Sequence, residues 1–136
     1  MFASDRLLKL LLQVTGTCLL LATVFLFMPN SWLATIYGWL GFTDYPTTPV
    51  FKYLVRTVTA MYALSGAFCW LVSADVRRHA AVITFLGEAS ILFGIVCTVV
   101  DFWVGMPWFW TLLEGPMAVI LGIAVLALQV RIRARY

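Results

Sequence analysis

Four apolar stretches, at about 7–28, 49–73, 80–100 and 107–130, are each long enough to cross the hydrocarbon core of a bilayer as a helix. With short connections they use nearly all of the 136 residues, which leaves no room for a separate soluble domain. The expected fold is therefore an all-α integral membrane protein, a single domain over 1–136 built as a four-transmembrane-helix antiparallel bundle. A soluble domain would also need far more polar surface than a chain that is 63% hydrophobic and 11% charged can supply. The first stretch is too long for a signal-peptide core, and no small-residue cleavage site follows it.

Pro29 and Asn30 end the first span. Residues 31–40, with Trp32, Trp39 and Tyr37, are too few to span and predict a short interfacial helix stopped by Gly41. Arg6, Lys9, the Arg77-Arg78 loop and Arg131, Arg133 and Arg135 fall on one side of the membrane, with Asp44 and Asp101 on the other. The positive-inside rule then places both termini in the cytoplasm. Helix-packing faces are visible as small residues. They are Gln13, Gly16, Thr17, Leu20 and Thr23 on the first span, and Ala60, Ala63 and Ala67 with Arg56 and Trp70 on the second. Gly87 and Gly94, a heptad apart, mark a third.

Charges inside the spans are the candidates for function, because they are costly in lipid unless something meets them. The segment Pro49-Val-Phe-Lys-Tyr-Leu-Val-Arg56 matches Pro107-Trp-Phe-Trp-Thr-Leu-Leu-Glu114 in the spacing of proline, phenylalanine and leucine. Arg56 and Glu114 thus each lie roughly 10 Å along a helix from its proline, at one depth. Side chains so placed are expected to pair inside the bundle, either as a structural ion pair or as a polar pocket with Arg56 as an anion anchor. Pro116 removes a helix bond to the carbonyl of Leu112, which could also receive Arg56. Glu88 lies about 13 Å along the third span, with no basic residue near its depth. Read as buried, it is expected to be met by a hydrogen bond from Gln13. Asp101 is expected in the turn after that span.

The three cysteines, Cys18, Cys69 and Cys97, read as small buried hydrophobes, and the one histidine, His79, as an interfacial residue. Neither a metal site nor a cofactor is expected, and the formal charge of +3 does not indicate nucleic-acid binding. Nucleotide, dinucleotide, zinc and triad signatures are all absent, so an enzyme is the weaker reading.

The run Asp101-Phe-Trp-Val-Gly105-Met106-Pro107-Trp-Phe-Trp110-Thr-Leu-Leu-Glu114-Gly115-Pro116, together with Arg56 in Tyr53-Leu-Val-Arg56, resembles small uncharacterised bacterial membrane proteins of the DoxX-like group. The resemblance implies a four-helix protein of the bacterial inner (plasma) membrane. By the same analogy it suggests a quinone-linked redox accessory role. Length and span number also resemble small multidrug carriers, but those place a glutamate in the first helix where this chain has Gln13. The expected function is a non-enzymatic membrane component, an accessory subunit or homo-oligomer partnered by the bilayer and by other membrane subunits. The alternative is a small proton-coupled carrier or binder of an anionic or amphipathic ligand, using Arg56, Glu114 and Glu88.

Overall fold

The computed structural model describes residues 3–134, and Arg135 of the basic tail lies outside them. The elements in order are α1 (Ala3–Leu20), α2 (Ala22–Phe27), α3 (Asn30–Trp39), α4 (Pro49–Ser73), α5 (Ala80–Val104) and α6 (Trp108–Arg133), with no strand among the described residues. Four helical segments, Ala3–Phe27, Pro49–Ser73, Ala80–Val104 and Trp108–Arg133, are long and apolar enough to cross a membrane. This is the expected all-α, four-helix-bundle class.

Several boundaries differ from the expected spans, the fourth span among them, which runs on to Arg133 rather than 130. The first helix already includes Ala3, ahead of the expected start near Leu7, and Asp5 in its first turn sets a negative charge toward the positive end of the helix dipole. α5 runs on to Val104 rather than Val100, so Asp101 belongs to its last turn and not to the following loop. The stop signal is Gly105, left-handed at φ 79. Its N–H and that of Met106 both donate to the Asp101 carbonyl, at 3.0 and 2.9 Å. α6 continues through Pro116 without ending.

The chain forms two compact units, one of residues up to Leu11 together with those from Val72 onward, the other Leu12–Leu71. In the first unit, α5 and α6 make an antiparallel hairpin whose contact is drawn by glycine. A Cβ on Gly94 would stand 2.5 Å from the Gly115 carbonyl oxygen, and one on Gly122 would stand 2.5 Å from that of Gly87. The heptad spacing of Gly87 and Gly94 on α5 is therefore answered by the same spacing of Gly115 and Gly122 on α6. Polar bonds fix the register along this seam. Ser90 Oγ donates to the Ala118 carbonyl at 2.8 Å, and the buried Gln129 donates through Nε2 to the Ala80 carbonyl at 3.2 Å. At its basic end Asp5, 2% exposed, accepts from Arg77 Nε at 3.1 Å and Nη2 at 2.5 Å.

In the second unit, Gly16 and Gly66 bring α1 and α4 together: a Cβ on Gly66 would lie 2.6 Å from the Gly16 carbonyl oxygen. Trp70 Nε1 donates to Thr17 Oγ1 at 3.2 Å along the same contact. Thr48 opens α4, with its hydroxyl accepting from the Phe51 N–H at 3.3 Å. Tyr37, Phe42, Tyr45 and Phe51 gather where α3 and the following loop meet the start of α4, with Tyr37 stacked on Phe42 at 4.7 Å.

The loop between α4 and α5 is shaped by Asp75, whose Oδ1 accepts the N–H groups of Arg78 at 3.0 Å and Arg77 at 3.2 Å. The bond from the Arg78 N–H, with that from Arg77 and the nearby His79 and Arg78 charges, holds the Asp75 carboxyl below the ordinary carboxylate value. A carboxylate lowered in the folded state stabilises at pH above its unfolded value and loses that contribution as pH falls through the folded one. The melting temperature of the purified protein should therefore carry a small Asp75-dependent decline as pH drops below about 3.8. Asp75→Asn should remove that component of the slope and leave the neutral-pH value little changed.

Candidate functional site

The most heavily bonded charge in the second unit is Arg56, and the reason lies in Pro29. A helix end leaves its last carbonyls without partners. Pro29 has no N–H to give to the Phe25 carbonyl, and Met28 turns to extended geometry at φ -66, ψ 136, so α2 ends there. Arg56, half-buried on α4, supplies the missing donors. Its Nη1 donates to the Phe25 carbonyl at 2.8 Å and to the Leu26 carbonyl. Its Nη2 donates to the Met28 carbonyl at 2.6 Å and to Asn30 Oδ1 at 3.1 Å. A guanidinium thus closes the C-terminal end of the first span, where the helix dipole is negative, and ties it to the first residue of α3.

This corrects the expected pairing of Arg56 with Glu114. Arg56 is spent on carbonyls and Asn30 of its own unit. The Leu112 carbonyl does not receive it either. In the first unit a salt bridge joins Arg77 to Asp5, at 2.5 Å.

Glu114 lies half-buried on α6, with Oε2 accepting from Trp110 Nε1 at 2.6 Å, one helical turn earlier. Asp101 lies in the last turn of α5 and is 6% exposed. Its Oδ2 is buried without a hydrogen-bond partner among the described residues. Beside this end of the hairpin, Thr111 is buried with its hydroxyl donating back to the Pro107 carbonyl at 3.4 Å. The end of the hairpin that holds Asp101 and Glu114 is therefore acidic and polar inside, with one carboxylate oxygen left unanswered.

Glu88 is placed differently from the expectation. It is exposed, not buried, and makes no hydrogen bond among the described residues, so the bond expected from Gln13 is not made. Gln13 is half-buried on α1, where its carbonyl accepts from Thr17 Oγ1 at 2.8 Å. Around Glu88 on α5 stand Phe85 and Leu92, each 65% exposed, with Ile95 and Val99 beyond them at 51% and 61%. An acid thus stands alone on an apolar outer face, part-way through a membrane-length helix. Arg133 reaches α5 one turn before Glu88, its Nη2 donating to Thr84 Oγ1 at 3.1 Å.

Asp5, Asn30, Gly115 and Gly122 were missed by the sequence reading. For the glycines the signal was present, since both helices carry the same heptad interval. For Asn30 it was the Pro29-Asn30 break itself, which leaves carbonyls that need a donor. Among the described residues no three His, Cys, Asp or Glu side chains group as a metal ion would require. Comparison with family models, curated proteins and solved structures finds no match.

Proposed function

We propose that this chain is a non-enzymatic component of the bacterial inner membrane, with both termini cytoplasmic, that works as part of an assembly. The observation that carries this reading is the exposed Glu88 within the apolar outer face of α5. Charged groups inside a bilayer are expensive and are found facing protein or water, so a bare one marks a surface that is covered in the working state. Arg56 supports the same reading from the opposite side. Its donors are occupied by main-chain carbonyls, which makes it a structural clasp and leaves little of it for anchoring an anion. Native mass spectrometry of the full chain, released from nanodiscs, tests the proposal. Masses of a homo-oligomer, or of the chain with another membrane subunit, are expected; a lone monomer at every protein-to-lipid ratio overturns it.

A second reading, a small proton-coupled carrier, is favoured by one observation. Asp101 holds a buried carboxylate oxygen with no partner among the described residues, and a proton or a cationic group would answer it.

A further inference from the structure

We infer that Asp101 is the centre of a binding site for one small monovalent cation of the sodium class, at the end of the α5–α6 hairpin that turns at Gly105. The inference rests on the second reading above and goes beyond it by naming the ion and the groups that hold it.

The starting point is a carboxylate at the unfavourable end of a helix. Asp101 stands in the last turn of α5, which holds no basic residue, and the negative end of the helix dipole disfavours a further negative charge there. The residue is 6% exposed, and its Oδ2 is buried with no hydrogen-bond partner among the described residues. The other buried carboxylate of this unit, Asp5, is answered by Arg77. Asp101 has no such answer within reach in its own unit. Among the described residues that unit's arginines and lysines, Arg6, Lys9, Arg77, Arg78, Arg131 and Arg133, lie toward the opposite end of the hairpin. There Ala80 is roughly 30 Å from Asp101 along α5. A buried polar atom left over in this way points to a ligand that supplies what the chain withholds, here a positive charge.

The surroundings supply oxygen. After Asp101 the carbonyls of Phe102, Trp103 and Val104 belong to a helix end, where no helical N–H meets them. Across the hairpin, a Cβ on Gly115 would stand 3.0 Å from the Thr98 nitrogen, so those two residues abut. One turn further toward Gly105 on each helix, that register sets Thr111 level with Asp101. Thr111 is buried too, and its hydroxyl oxygen keeps lone pairs while donating to the Pro107 carbonyl. Glu114 adds negative charge nearby, since it and Asp101 both lie within electrostatic reach of Cys97. Its Oε2 is engaged by Trp110, so it acts through its field and not as a ligand. A carboxylate, a hydroxyl and helix-end carbonyls make a hard-oxygen set, of the kind that holds sodium at helix C-terminal ends within membranes. No three His, Cys, Asp or Glu side chains group among the described residues, so the set suits one positive charge and not two.

The test is thermal melting of the full chain in lipid nanodiscs while sodium chloride replaces N-methylglucamine chloride at constant ionic strength and neutral pH. Sodium at ten times its dissociation constant is expected to raise the melting temperature by about 3–6 °C. Asp101→Asn keeps the shape, removes the charge and should abolish that rise. It should otherwise melt as high as the unsubstituted chain does without sodium, because Oδ2 has no bond to lose. Thr111→Val keeps the carboxylate and should move the sodium midpoint upward by about ten-fold. No rise with sodium, a rise that survives Asp101→Asn, or a midpoint that Thr111→Val leaves in place overturns the site. Melting that responds to pH through Asp101 but not to sodium overturns the sodium site and leaves the proton-coupled reading standing. A chain that responds to sodium and to pH just as its Asp101→Asn variant does removes both.

Discussion

Arg56→Ala is expected to destabilise the folded chain by about 2–4 kcal/mol, the sum of several net hydrogen bonds and the cost of leaving their acceptors unanswered. Reversible denaturant titration in mixed micelles, with helicity as the readout, would measure it. The arginine answers the Phe25, Leu26 and Met28 carbonyls and Asn30 Oδ1 together. Those carbonyls are orphans by construction, because Pro29 has no N–H and α3 starts a new helix at Asn30. In a bilayer they have little water to turn to, so removing the donor exposes the full penalty. Arg56→Lys should recover only part of the loss, since an ammonium is a point charge and cannot reproduce a planar fork over acceptors on two sides. Asn30→Ala removes one exposed acceptor and should cost under about 1 kcal/mol. If Arg56→Ala instead proved no worse than Asn30→Ala, the clasp would be incidental to stability.

The same clasp shows where sequence reasoning succeeds and where it stops. Apolar run length gave the four spans, because the solvent that must be excluded has a known thickness. The faces expected on the first and second spans meet through Gly16, Thr17 and Trp70, but the close approach on the second span is made by Gly66, which the sequence reading did not name, and Ala67 is exposed. Rise per residue gives only distance along a helix from its start, which is the basis on which Arg56 and Glu114 were expected to pair. Height says nothing about direction around the helix axis or about competing acceptors, and the nearest unsatisfied groups decided the outcome. Arg56 found carbonyls that Pro29 had freed, whereas the matched acid was bonded by Trp110 one turn earlier on its own helix. Glu88 failed for a related reason. It follows Gly87 by one residue and so lies about 100° around the axis from the glycine face. Once Gly87 and Gly94 commit to α6, Glu88 is carried out of that contact. The end of α5 was misplaced because Asp101 looked like the membrane edge, although Gly105 held the actual stop.

Glycine at the α5–α6 contact is the other position where a single methyl group should be felt strongly. Gly94→Ala is expected to cost about 2–3 kcal/mol, in the range for overpacking a contact that cannot yield. The added Cβ would meet the Gly115 carbonyl oxygen at 2.5 Å, Val119 Cγ2 at 2.7 Å and the Val119 nitrogen at 2.9 Å. Two of those are backbone atoms, which move only if the helices separate. Separation is expensive because helices in lipid are held by close van der Waals contact and cross-helix hydrogen bonds, with no water-driven burial to compensate. It would also pull Ser90 away from the Ala118 carbonyl and Gln129 away from the Ala80 carbonyl. Gly122→Ala should behave alike, since its Cβ would stand 2.5 Å from the Gly87 carbonyl oxygen and 3.0 Å from the Ile91 nitrogen. The two changes together should cost clearly less than their sum, because one separation relieves both clashes, and that shortfall is the signature of a shared rigid seam. Gly38→Ala provides the contrast. It lies within α3 with nothing within 4 Å of the added methyl, and alanine favours a helix over glycine by about 1 kcal/mol, so this change should be neutral or slightly stabilising. Full additivity of Gly94→Ala with Gly122→Ala would mean that the hairpin bends locally at each glycine instead of moving as one contact.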